Sequence, residues 1–102
     1  MRTIDPKTIE EIRDLVFTYF AEECGMDRAK ITDATNIVTE LEGDSVMLLS
    51  LLEIVRKKYG LTVELKTLGK RLMQKPANTV GQVIDLTLKV VQYGNDIANV
   101  DL

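Results

Sequence analysis

From Asp44 through Gly60 the chain reads Asp-Ser-Val-Met-Leu-Leu-Ser-Leu-Leu-Glu-Ile-Val-Arg-Lys-Lys-Tyr-Gly, and this stretch constrains everything around it. At about 100° per residue, Leu48, Leu51, Leu52, Val55 and Tyr59 fall on one face of a helix, an apolar stripe too wide to leave in water. The rest of the chain must therefore supply elements that cover it. Asp44 and Ser45 are short oxygen-bearing residues suited to a helix cap, and Gly43 before them permits a backbone conformation that other residues resist. The helix is expected to start at 44 or 45. Gly60 supplies the stop, with Arg56, Lys57 and Lys58 placed against the negative end of the helix dipole. Away from the core face lie Ser50, Glu53 and Lys57, with Val46 among them, while Met47 and Ile54 share a flank. Val46, Met47 and Ile54 are the candidates for exposure.

Covering partners are visible on both sides. Asp5-Pro6 can start a helix, since aspartate caps free amides and proline fits the first position, with Thr8 and Glu11 offering a competing capping box. Ile9, Ile12, Val16, Tyr19 and Phe20 then recur at three-and-four spacing until Gly25, which predicts a first helix over 6–24. Near the other end, Thr79 with Gln82 forms a capping box, and Val80, Val83, Ile84, Thr87, Leu88 and Val91 mark one face of a last helix over 80–92.

The connections are long. Residues 26–43 show no extended periodicity and read as an ordered loop anchored by Ile31, Ile37 and Leu41, with Asp33, Thr35 and Asn36 making local turns and a short helical turn at 27–30 or after Asp33. Its acids, Asp27, Asp33 and Glu40, do not match the alternate-position spacing of a calcium loop. After Gly60, Leu61, Val63 and Leu65 read as inward-facing residues of an extended linker. Thr67–Gln74 reads as a short helix with Leu68, Leu72 and Met73 inward, weakened by Gly69 by about 1 kcal/mol relative to alanine and ended by Pro76. The expected architecture is all-α: a small four-helix bundle with three main helices, one short helix and a long loop after the first, in a single domain over 1–92. Residues 93–102 are expected to form a flexible tail.

Composition narrows the function. With 13 basic and 16 acidic residues, the net charge of -3 gives no field favouring nucleic acid or an anionic membrane. No apolar run approaches a membrane span and the N-terminus lacks a secretory pattern, so the chain reads as a cytoplasmic monomer without membrane insertion. The single cysteine, Cys24, cannot form an internal disulfide or a thiolate metal cluster and reads as a small buried hydrophobe. With no histidine anywhere, neither Cys24 nor Ser45 has the usual activating base, so no catalytic residue and no metal ligand is expected.

The box Leu41-x-Gly43-Asp44-Ser45 at the mouth of an amphipathic helix resembles that of the acyl and peptidyl carrier proteins, and the order of helices over residues 5–92 agrees with that family. The resemblance implies that Ser45 carries 4'-phosphopantetheine from coenzyme A through a phosphodiester, with an acyl or aminoacyl group held as a thioester on the arm. It further implies a phosphopantetheinyl transferase and acyl-loading and acyl-accepting enzymes as partners, with Gly43 and Asp44 completing the attachment site. Asp44 is expected to help orient the transferase's metal and coenzyme.

Departures from the family pattern point away from general fatty-acid synthesis. Met47 and Ser50 stand where acids are frequent, Arg56 and Lys57 where acids often recur, and Glu53 alone remains. Val46, Met47, Ser50, Glu53, Ile54, Arg56 and Lys57 are the expected partner face, suited to a specialised lipid, polyketide or related pathway. The short helix gathers Lys66, Lys70, Arg71 and Lys75. A cargo chain is expected along the seam of Met47, Ile54, Leu68 and Met73. The alternative is a helical protein-interaction module that never receives the arm; an enzyme is disfavoured by the missing histidine.

Overall fold

In the computed structural model, which describes residues 4–94, caps decide where helices begin. The Asp5 carboxylate accepts the Thr8 amide at 2.8 Å with Pro6 at the first helical position, so α1 spans Pro6–Cys24 and the competing box at Thr8 is not used. Gly25, at φ 60, closes it in the left-handed conformation. A 3-10 turn follows at Arg28–Lys30, then α2 (Ser45–Lys58), α3 (Leu65–Gln74) and α4 (Val80–Tyr93). At α4 the Thr79 hydroxyl accepts the Gln82 amide, while Gln82 Oε1 accepts the amides of Asn78 and Thr79. The capping box is therefore closed from both sides.

The architecture is all-α, four helices with no strand among the described residues, and an isolated bridge joins Asn36 to Thr79. α1 packs against α4, and α2 packs against α3 and α4. Between them lie Ile12, Val16 and Phe20 of α1, Leu51, Leu52 and Val55 of α2, Leu68 of α3, and Val80, Val83, Ile84 and Val90 of α4, all essentially inaccessible. Each such side chain contributes about 1.5–3 kcal/mol of transfer free energy, which is what holds the bundle against chain entropy. Thr87, fully buried, satisfies its hydroxyl by donating to the Val83 carbonyl at 2.7 Å.

The long loop is ordered because its backbone is used. Ile37 donates to the Asn78 carbonyl, Val80 to that of Thr35, and Gly81 to that of Asp33, so the loop is stitched to the first turn of α4. A Cβ at Gly81 would lie 3.0 Å from the Asp33 carbonyl oxygen, so glycine lets the two backbones meet there. Ile31, Ile37 and Leu41 are buried beneath the loop as anchors.

Several expectations need correction. α3 begins at Leu65, two residues before Thr67, and Leu65 is 40% exposed at its first turn instead of facing inward. Met73 is 84% exposed. It follows Leu72 by about 100° of helical rotation, and the inward row of Leu68 and Leu72 is already covered by α2. Of the cations gathered around this helix, Arg71 is buried, 6% exposed. Leu61 and Cys24 are half-buried, the Cys24 thiol lying 3.4 Å from the Leu41 carbonyl. Ile9, Tyr59 and Leu88, read as core-face residues, are likewise half-buried, while Phe17 and Val90 complete the core unanticipated. Phe17 is covered by the guanidinium groups of Arg13 and Arg28, 5.5 and 5.7 Å from its ring centre. α4 runs through Tyr93, and the tail expected beyond it falls, from 95 on, outside the described residues.

Candidate functional site

Ser45 is the first residue of α2, at the point where the long loop delivers the chain to the surface. Asp44 does the capping: its Oδ1 accepts the Met47 amide at 3.0 Å. One cap is enough, so the Ser45 side chain is exposed and its hydroxyl makes no hydrogen bond among the described residues. The amides of Ser45 and Val46, in the first turn, have no intrahelical acceptor and lie at the positive end of the helix dipole.

Gly43 acts through its size and not through an unusual backbone. A Cβ there would sit 2.6 Å from Ile37 Cγ2 and 3.2 Å from Met47 Sδ, and its amide donates to the Ile37 carbonyl at 2.8 Å. The left-handed conformation falls one residue earlier, on Glu42 at φ 54. The conformational freedom expected of Gly43 is thus not used there; the close approach of Ile37 and Met47 is what its missing side chain permits.

Two grooves flank α2 and share Leu49 as the ridge between them. The first, of about 630 Å³, is lined by Val46, Met47, Ser50, Glu53 and Ile54 together with Leu65 across the way. Val46 is 69% and Ile54 42% exposed, so the apolar rim of this groove is open to solvent. Arg56 and Lys57 do not line it. Both are drawn to Glu53, Arg56 through a bidentate pair at 2.9 Å and Lys57 at 3.6 Å. The hydrogen bonds from Arg56 hold the Glu53 carboxyl below its ordinary pKa.

The second groove, of about 680 Å³, runs from Ser45 between α2 and α3, with Leu49, Leu72, Met73 and Pro76 as apolar walls and Lys66 and Lys70 at its edge. Gly69 forms part of its floor, and a Cβ there would meet nothing nearer than Leu49 Cδ2 at 3.9 Å. The expected cargo seam is thus divided: Met47 and Ile54 line the first groove, Met73 the second, and Leu68 is sealed in the core. Leu49, Leu65, Lys66 and Lys70 were not singled out as groove residues from sequence. The available signal was Gly69, a helix-weakening residue placed where a side chain would fill the opening.

Burial, followed by the charges of Glu23 and Glu42, pushes the Cys24 thiol up and keeps it protonated. Among the described residues, no group of three or more histidine, cysteine, aspartate or glutamate side chains could hold a metal ion.

Residues 14–86 match the family described as the phosphopantetheine attachment site. Over 100 residues the chain is 42% identical to a protein of Clostridium acetobutylicum named acyl carrier protein homolog, a match that covers 98% of this chain and 97% of that protein. An exposed, uncommitted serine at a capped helix mouth, in a four-helix chain with this likeness along almost its whole length, places it plainly: the chain belongs to the acyl carrier proteins, whose prosthetic group is a covalently attached 4'-phosphopantetheine.

Proposed function

We propose that Ser45 is the attachment residue and that the chain presents an acyl or aminoacyl group to partner enzymes of a specialised lipid, polyketide or related pathway in the cytoplasm. The observation that carries this reading is the free Ser45 hydroxyl on a helix already capped by Asp44, at the head of an apolar groove. The site fits the group. A phosphodiester on Ser45 Oγ lies beside the uncommitted first-turn amides, which favour an anion. When bound, the arm supplies the thiol on which cargo is held as a thioester.

The chain's own contributions are positional. Ser45 offers the oxygen nucleophile, and because the chain has no histidine, the base that takes its proton belongs to the transferase. Asp44 keeps one carboxylate oxygen on the Met47 amide, which leaves the other for the transferase's metal and coenzyme. Leu49, Leu72 and Met73 offer cargo an apolar wall beside the attachment point. The open rim of Val46, Met47, Ser50 and Ile54 offers partners an apolar face, while Glu53 balances Arg56 and Lys57 at its far end. Acyl carrier proteins are carriers and not enzymes, so loading and acceptance fall to those partners.

The test is direct. Apo protein, coenzyme A, magnesium and a broad-specificity phosphopantetheinyl transferase should together give one mass addition by intact mass spectrometry. Ser45→Ala should show none and Ser50→Ala should show it in full. An addition persisting in Ser45→Ala overturns the assignment, and no addition to the native chain favours an interaction module without the arm.

A further inference from the structure

Beyond Pro76 and Ala77, on the other side of α3 from the Ser45 groove, lies a smaller cleft of about 220 Å³ between α3 and α4. Arg71, Lys75, Gln82, Asp85 and Lys89 line it. Arg71 is the anomaly: only 6% exposed, it makes no ion pair among the described residues, and its buried Nε has no hydrogen-bond partner. A guanidinium removed from water is destabilising unless charge and hydrogen bonds offset the lost hydration.

Apart from Asp85, the polar side chains lining the cleft supply donors. Gln82 Oε1 is fixed by the amides of Asn78 and Thr79 at 2.7 and 3.1 Å, so its NH₂ group is the end left to donate. Lys89 lines the cleft from α4, and Asp85 is the one carboxylate beside Arg71 and Lys89. A planar guanidinium and an ammonium lining one cleft suit the oxygens of a phosphoryl group, the first through bidentate hydrogen bonds and the second as a point charge. The cleft is smaller than the roughly 300–1,000 Å³ typical of drug-sized ligands, which suits a small ion.

We infer that this cleft binds a phosphoryl dianion, free phosphate or a small phosphomonoester, between Arg71 of α3 and Lys89 of α4. The consequence is mechanical. α3 takes its main helix contact from α2, and α3 with α4 is not among the principal helix pairs. An anion held from both sides joins α3 to α4 and steadies the wall of the groove beside Ser45.

The experiment is thermal unfolding of the full chain at constant ionic strength, with sodium phosphate or glycerol phosphate replacing sodium chloride. The expected result is a saturable rise in Tm, with concentration-dependent NMR shifts at the Gln82 side-chain amide and Arg71 Nε–H. Arg71→Gln should abolish the shifts, and Lys89→Gln should weaken the apparent affinity about tenfold, the loss of one charge-assisted hydrogen bond. If Arg71→Gln does not fold, Lys89→Gln decides alone. Saturation by both salts assigns the site to a phosphomonoester or phosphate alike, and by phosphate alone to the free ion. A rise that is unsaturated and equal in both variants is exclusion of the salt from the protein surface and overturns the inference. Ser45→Ala should respond as the native chain does, so the outcome stands apart from the attachment assignment.

Discussion

The Tyr19 hydroxyl donates to the Met47 carbonyl across 2.8 Å, joining the buried face of α1 to the first turn of the helix that carries Ser45. Burial, then the nearby charge of Glu23, raises the tyrosine pKa, so the donor stays protonated through the neutral range. The end of α2 that bears Ser45 is thus held by a side chain from another helix as well as by its own cap.

Tyr19→Phe removes this bond and leaves the ring in place. The Met47 carbonyl keeps its helical partner, so the cost should be about 0.5–1.5 kcal/mol in urea denaturation. Amide exchange at residues 46–48 should quicken more than in the middle of α2. Uniform loss of protection along the helix would show that the bond supports the whole bundle and not this turn.

Gly43→Ala should cost about 1–3 kcal/mol, because a Cβ 2.6 Å from Ile37 Cγ2 is an overpacked contact. Ile37→Leu removes that branching methyl. In a double-mutant cycle the alanine should therefore cost less when Ile37→Leu is already present than in the native chain, and an additive pair would refute the steric account.

Gly69→Ala should do the opposite and stabilise by up to about 1 kcal/mol, since it improves helix propensity and its Cβ makes only ordinary contact with Leu49. Gly69→Leu, projecting into the groove beside Ser45, should keep modification of Ser45 while hastening hydrolysis of a bound medium-chain thioester. Equal hydrolysis in both variants would mean that cargo does not use this groove.

Acid should destabilise the fold through identifiable carboxylates. The bidentate hydrogen bonds from Arg13 hold the Asp33 carboxyl below its ordinary pKa, and the Thr8 amide and Arg56 do the same for Asp5 and Glu53. Groups depressed in the folded state contribute stability above their unfolded values, about 4, and that contribution is lost as pH falls through the folded values. Asp33→Asn removes the Arg13 pair but spares the Arg13 contact with Phe17. It should lower stability at pH 7 by less than about 1 kcal/mol, because both partners are substantially exposed, and flatten the decline below pH 4. An unchanged acid limb would exclude this pair from acid unfolding.

The pattern of caps and apolar spacing was enough for α1, α2 and α4, because Asp5-Pro6, Asp44-Ser45 and Thr79 with Gln82 each close a first turn using residues within four of one another. Misreadings cluster where a distant neighbour decides. Leu65 and Met73 are apolar, but α2 covers only the row through Leu68 and Leu72. Phe17 lies outside the apolar spacing read for α1 and is covered by two arginines, one from its own helix and one from the loop. Gly43 looks like a turn glycine in one dimension, whereas the reason for it is Ile37, six residues away and folded back on it. The box Leu41-x-Gly43-Asp44-Ser45, on which the attachment proposal rests, is local in the same way as the caps. The two grooves and the Arg71 cleft exist only once α3 is laid against its neighbours.

The partner face can be separated into apolar and charged parts by how each responds to salt. Val46 and Ile54 are exposed, so Val46→Ser and Ile54→Ser should change stability by no more than about 0.5 kcal/mol. If a transferase buries either residue on docking, each change forfeits about 1–2 kcal/mol of apolar contact, and kcat/KM for phosphopantetheinylation should fall about 5- to 30-fold at all salt concentrations. Arg56→Gln acts otherwise, because it releases the Glu53 carboxylate from its bidentate partner and leaves the end of the groove more acidic. A transferase with a basic docking surface should then gain in association rate at low salt, and the gain should vanish as ionic strength rises toward 1 M, where the screening length is about 3 Å. Should the serine variants be modified at the native rate, the groove of Val46 and Ile54 is not where the transferase docks, and a salt-independent Arg56→Gln effect would place that arginine in helix packing instead.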